Sequence, residues 1–148
     1  MFEKPPVDKI ATTGLEKRGI KNDITVYGGD MFKDKIPNGF DIHLYSHAFH
    51  DWDIETNRLL VRKSFESLNE GGLIMIHDAH INKEKTGLIS VAEYSVLLMF
   101  STAGKCYSFG ELENLLEFEG FENIKFKETI GNRSIITGQK PTAHNTRS

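Results

Sequence analysis

The sequence is poor in cysteine, has no surplus of positive charge and contains no long apolar run. Its single cysteine, Cys106, cannot form an intrachain disulfide or a thiolate metal cluster, which fits a reducing compartment. The 18 Lys and Arg residues face 21 Asp and Glu residues, so the formal net charge is -3 and nucleic acid is a poor candidate ligand. The longest uncharged apolar stretch, residues 94–104, is far short of the roughly 20 residues of a membrane-spanning helix. Residues 1–6 also lack the apolar segment of a signal peptide, so we expect a cytoplasmic protein.

What is present is the composition of one ordinary globular domain. The chain has 148 residues, of which 39% are hydrophobic and 26% are charged. These values exclude disorder along the whole chain. Only the last residues, 141–148, are largely polar, and we expect them to form a disordered tail after a domain that covers residues 1–140.

Helical and strand patterns alternate along the chain. Helices are predicted over residues 6–18, from Asp53 to Glu70, over 86–100, and after the capping box of Ser108 and Glu111. Strands are predicted over residues 24–27, 40–48, 73–76, 124–127 and 134–137. The helix over 86–100 is apolar almost all round, so we expect it to be buried, as we do the strand over 40–48. This order predicts an α/β fold with a mostly parallel sheet and an antiparallel hairpin at its C-terminal edge.

Polar clusters follow three of the predicted strands. They are Gly28-Gly29-Asp30, His50-Asp51-Trp52 and His77-Asp78. Ligands of such sheets bind outside the carboxyl ends of the strands. The clusters therefore predict a ligand crevice at that edge of the sheet.

His50 and Asp78 follow strands that are expected to be neighbours. A carboxylate that accepts one imidazole N–H fixes the tautomer and leaves the other ring nitrogen free to act as a base. His50 is therefore a candidate general base. The alternative is structural, with His50 capping the helix that begins near Asp53 and Asp78 bonding loop amides.

Five histidines near the strand ends also allow a metal-dependent hydrolase. His43 and His47 share one face of the predicted strand, but His50 lies beyond it. No pair of histidines has i, i+4 spacing on a predicted helix, as the zinc ligands of zincins have. The spacing favours the acid–base pair, and no metal ligand is assigned.

The order of several short motifs resembles a known family. These motifs are Gly29-Asp30-Met31-Phe32, Pro37, Phe40-Asp41, His50-Asp51-Trp52, Gly71-Gly72, Asp78, Ser108-x-x-Glu111 and Gly120-Phe121. Together they resemble the small-molecule O-methyltransferases of the caffeic acid and bacterial natural-product type, over about residues 1–140. The resemblance implies a Rossmann-like class I methyltransferase fold, S-adenosylmethionine as cofactor, and a small, phenolic hydroxyl compound as methyl acceptor.

The resemblance also implies roles for individual residues. His50 would be the general base and Asp78 the acid that orients it. Cofactor contacts would come from Glu3 on the ribose, from Asp30 and Met31 on the adenine, and from Gly29 and Ser46 nearby. Cys106 stands where the family has a second acid, which departs from its pattern.

The family's first strand with its glycine-rich loop and its N-terminal helical dimerisation domain have no counterpart here. We therefore expect the C-terminal part of an enzyme that is a homodimer when full length. A non-catalytic remnant or interaction module is the remaining alternative.

Overall fold

The computed structural model describes residues 1–84, 86 and 88–142. The chain divides into two compact units, residues 1–37 and the part that begins at Asn38. Most of the predicted tail, residues 143–148, lies outside the described residues. None of the described helices has the length and apolar character needed to cross a membrane.

The first unit contains a small parallel sheet and one helix. Strand β1 (Phe2–Glu3) pairs in parallel with β2 (Tyr27–Gly28), and helix α1 (Val7–Lys17) lies between them in the chain. The helix predicted over 6–18 is thus confirmed. The strand predicted over 24–27 is only partly confirmed, because the observed strand β2 shares only Tyr27 with it and pairs with the two residues of β1.

The second unit is built on a four-stranded sheet. Its strands are β3 (Phe40–Ser46), β4 (Leu68–Asp78), β5 (Glu122–Glu128) and β6 (Ser134–Gln139), in the order β3-β4-β6-β5. The predicted C-terminal hairpin is confirmed. The sheet is mixed rather than mostly parallel, because β6 inserts between β4 and β5 and runs antiparallel to both. Only β3 and β4 pair in parallel here.

The prediction that the strand over 40–48 is buried is wrong. Ile42 and Leu44 are 53% and 61% exposed, whereas His43, on the opposite face, is buried. Helix α2 (Ile54–Ser67) covers only that opposite face, where the Tyr45 hydroxyl bonds the Ser64 hydroxyl at 2.8 Å. An apolar run cannot reveal from its residues alone that only one of its faces is covered.

Two further helices complete the second unit. Helix α4 (Phe109–Phe118) begins at the predicted capping box, in which Ser108 and Glu111 bond each other's backbone N–H groups. Helix α3 (Ile89–Ser101) is exposed along much of its surface, and Phe100 is 88% exposed, so the prediction of a buried helix is wrong. Only one face of α3, with Val91 and Leu98, packs against Ala79 and Cys106. The core of the unit lies between α2, α4 and the sheet and includes Leu60, Val61, Ile74, Ile76, Leu112, Leu116 and Ile136.

Candidate functional site

A sharp turn after β3 brings His50 to the end of β4. His47 adopts a left-handed backbone with φ 53°, and its N–H donates to the His77 carbonyl at 3.0 Å. A short 3-10 helix, Phe49–Asp51, follows, and its Phe49 side chain is buried. The expectation that His43 and His47 share a strand face is wrong, because β3 ends at Ser46 and His47 belongs to the turn.

His50 and Asp78 form a buried hydrogen-bonded pair. His50 Nδ1 lies 2.6 Å from Asp78 Oδ1, and the two residues are 7% and 2% exposed. An ionised carboxylate only accepts hydrogen bonds, so Nδ1 carries a proton, and in the neutral form of the ring the lone pair is on Nε2. The Ala79 N–H also donates to Asp78 Oδ1 at 2.8 Å. Asp78 Oδ2 has no hydrogen-bond partner among the described residues.

The free nitrogen of His50 also faces a carboxylate. His50 Nε2 lies 3.4 Å from Asp51 Oδ1, and the Asp51 side chain is half-exposed. In the neutral ring both atoms are acceptors, so they form no hydrogen bond with each other. If Nε2 gained a proton, the imidazolium would lie between Asp78 and Asp51, and both carboxylates would stabilise its charge. The arrangement can accept a proton and hold it.

Three residues from other elements hold the turn that carries His50. Asn57, which is fully buried in α2, donates from Nδ2 to the Phe49 carbonyl at 2.8 Å and to the Trp52 carbonyl at 3.2 Å. The Tyr107 hydroxyl donates to the same Trp52 carbonyl at 2.6 Å. Gly104 lies so close that a Cβ there would collide with the backbone of Trp52 at 2.6 and 2.7 Å.

The residues predicted to bind a cofactor in the first unit lie at the carboxyl ends of β1 and β2. The Gly29 N–H donates to the Glu3 carbonyl at 2.9 Å. The carboxylate of Glu3 makes no hydrogen bond to any described residue. A Cβ at Gly29 would meet the Phe2 ring at 2.6 Å, so the backbone approaches closely there. Met31 follows in the same loop and is half-buried.

Asp30 is engaged mainly within its own loop. Its Oδ1 accepts from the Phe32 N–H at 2.9 Å, and its own N–H donates to Asp34 Oδ2 at 2.8 Å. Oδ2 lies 3.4 Å from Lys4 Nζ. The Phe32 N–H chiefly holds the pKa of Asp30 below its ordinary value, with burial opposing and Lys4 adding to the effect. Asp30 therefore stays ionised and is available as an acceptor through Oδ2.

With this geometry in view, comparison with known proteins identifies the family. The model of the O-methyltransferase domain matches residues 1–122, most of the chain. The chain belongs to this family. The predicted family resemblance is thereby confirmed, and the histidine–aspartate pair belongs to an O-methyltransferase domain.

Three relatives illustrate the likeness. The L-tyrosine C(3)-methyltransferase of Streptomyces lavendulae is 32% identical over 129 residues, which are 86% of this chain and 35% of that protein. An O-methyltransferase family 2 protein from Planctomyces limnophilus, crystallised in complex with apigenin, is 32% identical with a TM-score of 0.81 over 94% of this chain and 41% of that one. The S-adenosyl-L-methionine-dependent methyl transferase PigF of a Serratia strain is 27% identical over 146 residues, 97% of this chain and 42% of that protein. Its structure with SAH matches with a TM-score of 0.84.

The chain thus spans well under half the length of these relatives.

Two positions show how the chain compares with the family pattern. Ser46 ends β3, and its Oγ lies 3.1 Å from His77 Nδ1. Cys106 is fully buried in the core, where burial and then the nearby Asp78 charge raise the pKa of its thiol to about 11. An uncharged thiol cannot replace a second carboxylate beside the imidazole.

A cleft of about 460 Å³ in the second unit is within the size range of small-molecule sites, and His50 and Asp78 are not among its described lining residues. Apolar wall residues include Leu88, Val91 and Phe126, and polar ones include His80 and Arg133. Tyr94 connects the cleft to the pair, because its ring lies edge-on to His50 at 5.7 Å and beneath the Arg133 guanidinium at 5.4 Å.

His50 and Asp78 lie together as the sequence predicts, but the residues that hold the turn around His50 were not predicted. Asn57 carries a weak signal, since asparagine is a poor helix former and its presence inside a predicted amphipathic helix calls for a reason. Gly104 and Tyr107 carry none, because their role depends on a contact between segments about 50 residues apart.

Proposed function

We propose that the protein is an S-adenosylmethionine-dependent O-methyltransferase that methylates a phenolic hydroxyl of a small molecule, with His50 as the general base. The observation that carries the proposal is the buried contact of His50 Nδ1 with Asp78, which leaves Nε2 as the proton acceptor in a domain of this family. The metal-dependent hydrolase and the non-catalytic module are not favoured, because the family is one of methyltransferases.

The chemistry requires removal of one proton and alignment of three atoms. A phenol has a pKa near 10 and keeps its proton at neutral pH, so a positioned base that takes the proton as attack proceeds promotes the transfer. The cofactor supplies an electrophilic methyl group on a sulfonium. With the cofactor bound, its methyl carbon would pass from the sulfonium sulfur to the acceptor oxygen, and His50 Nε2 would accept the phenolic proton. Asp78 and Asp51 stabilise the resulting imidazolium.

The cofactor assignments follow the carboxyl ends of β1 and β2. Glu3 has a carboxylate that no described residue engages, so it is available to accept from two ribose hydroxyls. Gly29 has no side chain, so its backbone can approach a flat ligand closely, and Asp30 Oδ2 can accept from an exocyclic amine. Met31 and Ser46 are the further proposed contacts. The same proposal includes a class I methyltransferase sheet whose first strand lies outside this chain.

The proposed acceptor is aromatic and small. The cleft beside Tyr94 combines apolar walls with a few polar groups, which suits a planar phenol. Two of the relatives are named for, or crystallised with, phenols, namely tyrosine and apigenin. A cytoplasmic location and a homodimeric full-length protein complete the proposal.

Methylation of carbon is a second candidate, because the Streptomyces relative is a C(3)-methyltransferase of tyrosine. A phenolate is nucleophilic at its ortho carbon as well as at oxygen. The same base would serve both outcomes, so the base alone does not distinguish them. NMR of the product separates them, since an O-methyl group retains all the ring protons and a C-methyl group replaces one.

The test of the proposal has a binding arm and a turnover arm. Calorimetric titration of the protein with S-adenosylhomocysteine should give saturable heat, and the ligand should raise the thermal midpoint. With labelled S-adenosylmethionine and a panel of hydroxylated aromatics, His50→Gln should lower turnover by about 10²–10⁴-fold at unchanged cofactor affinity. The control is His77→Gln, which keeps a polar group beside Ser46. Absence of binding, or near-normal turnover of His50→Gln, would contradict the proposal.

A further inference from the structure

Three potential metal ligands meet at the turn after β3. One ligand atom each from His47, His50 and Asp78 lies within 4.8 Å of the other two. We propose that these residues bind one Zn²⁺ ion and that the bound ion takes His50 out of proton transfer. The inhibitory effect rests on the proposed function, whereas the metal site itself does not.

The donor set is chemically suited to zinc. Two imidazoles and one carboxylate are ligands that zinc accepts, with solvent or a substrate atom in the fourth position. Tetrahedral bonds of about 2.0–2.1 Å place ligand atoms roughly 3.3 Å apart. His50 and Asp78 are buried, whereas His47 is exposed and lies in the turn after β3. A change in the His47 side chain of about 1 Å would bring the three ligand atoms to the separation of a tetrahedral zinc site.

The carboxylate of Asp78 also has an unpaired oxygen, which is the second observation. Asp78 is 2% exposed, and its Oδ2 has no hydrogen-bond partner among the described residues. A buried carboxylate oxygen without a partner is unfavourable, because it has lost its hydrogen bonds to water and has formed none within the protein. A cation bound through Oδ2 would give this oxygen a partner while Oδ1 keeps the Ala79 N–H.

Metal binding and base catalysis exclude each other at His50. If Nδ1 binds the ion, the hydrogen bond that orients the ring on Asp78 is lost. If Nε2 binds the ion, the proton-accepting lone pair is occupied. Zinc should therefore lower methyl transfer at saturating cofactor and should not compete with the cofactor.

The sequence pattern predicts His47 on a strand with His43, and this spacing disfavours a metal site. In the structure His47 instead lies in a left-handed turn, and its ring centroid is 6.0 Å from that of His50. His77 is also near, with its ring 5.5 Å from that of His47, but it lies outside the ligand group and contacts Ser46. His77 is thus a matched control from the same corner.

The first experiment measures metal binding to the protein without any turnover. Metal-free protein is titrated with Zn²⁺ by calorimetry and with Co²⁺ by visible absorption, which reports the ligand field. One ion per chain is expected, and His47→Ala should lower the Zn²⁺ association constant by about tenfold or more, while His77→Ala should leave it unchanged. Absence of binding, or equal binding by His47→Ala, would overturn the inference.

The second experiment compares turnover with and without added Zn²⁺ for each variant. The ratio of the two rates cancels any change in basal rate. Wild type should be inhibited and His47→Ala should resist inhibition; equal inhibition of both would overturn the inference. If the protein binds no zinc but His50→Gln lowers turnover, the general-base proposal stands and the metal-site proposal is wrong. If the protein binds zinc through His47 but His50→Gln keeps its turnover, the metal-site proposal stands and the general-base proposal is wrong.

Discussion

Asp78 and Asp30 each lie at the end of a parallel strand, yet their carboxylates are held in different ways. Asp78 is buried, bonds an imidazole from another segment and has one unpaired oxygen. Asp30 bonds the backbone of its own loop and faces the exposed Lys4. The loop explains the Asp30 contacts without any ligand, whereas local structure explains neither the buried imidazole nor the unpaired oxygen of Asp78. The second arrangement is the stronger sign of chemistry.

The largest expected effect comes from paired carboxylate-to-amide changes. Asp78→Asn should lower methyl-transfer turnover by about 10²–10⁴-fold, because an amide can present a donor to Nδ1 and favour the wrong tautomer, as in Ser-His-Asp triads. Asp30→Asn keeps the acceptor for the Phe32 N–H, so its turnover at saturating cofactor should change little while cofactor affinity falls. Steady-state kinetics check both. Equal losses of turnover in the two variants would remove the distinction.

The unit that contains Asp78 should also lose stability in acid, because of a second histidine near it. Burial lowers the pKa of His80 from 6.5 to about 4. Between these values the unfolded chain binds a proton that the folded one does not, so stability falls as pH drops from 6.5 to about 4, by up to about 3 kcal/mol. Above this window both states are neutral and the effect vanishes.

His80→Gln tests this expectation, because glutamine can still bond Ser134. Urea unfolding across the window should show a shallower loss of stability in the variant than in wild type. Some slope remains, since burial also lowers the pKa of His43. If the unfolding free energy of wild type and variant fell equally with pH, His80 would not be the group responsible for the acid sensitivity.

Two glycine-to-alanine changes compare how firmly the two regions are packed. At Gly104 the new methyl group meets the backbone of His50 and Trp52, which cannot rotate away. We expect a loss of about 1–3 kcal/mol in unfolding free energy. At Gly29 the obstacle is the Phe2 ring, a movable side chain, so about 1 kcal/mol or less is expected. Chemical denaturation measures both, and a larger effect at Gly29 would reverse the comparison.

The smallest effect is expected at the ion pair of the exposed loop. Lys4 is 73% exposed and lies 3.4 Å from Asp30 Oδ2, so solvent screens the pair. Lys4→Ala should leave the thermal midpoint indistinguishable from that of Lys35→Ala, an exposed lysine in the same unit. A loss comparable with that of Gly104→Ala would show that the loop depends on this pair.

The helices and the hairpin were predictable because their signals are local. Apolar spacing predicted α1, and the Ser108 capping box marked the first turn of α4. The patterns of α3 and β3 were misleading about burial. Their apolar residues occur on all sides, so nothing local indicates which face meets the core.

The site was predictable to the level of its two central residues. His50 and Asp78 were expected together because sequential parallel strands are neighbours, and β3 and β4 are. The position of His47 was not predictable, since a positive φ at a residue other than glycine has no clear sequence signal.

The sequence by itself determined the family, most elements and the pairing of an imidazole with a carboxylate, because these depend on residue types and on short spacings. Only the tertiary structure decided which faces are exposed, which oxygen of Asp78 lacks a partner and how Asn57 and Gly104 hold the turn. These properties depend on contacts between distant segments, and such contacts exist only when the chain is folded.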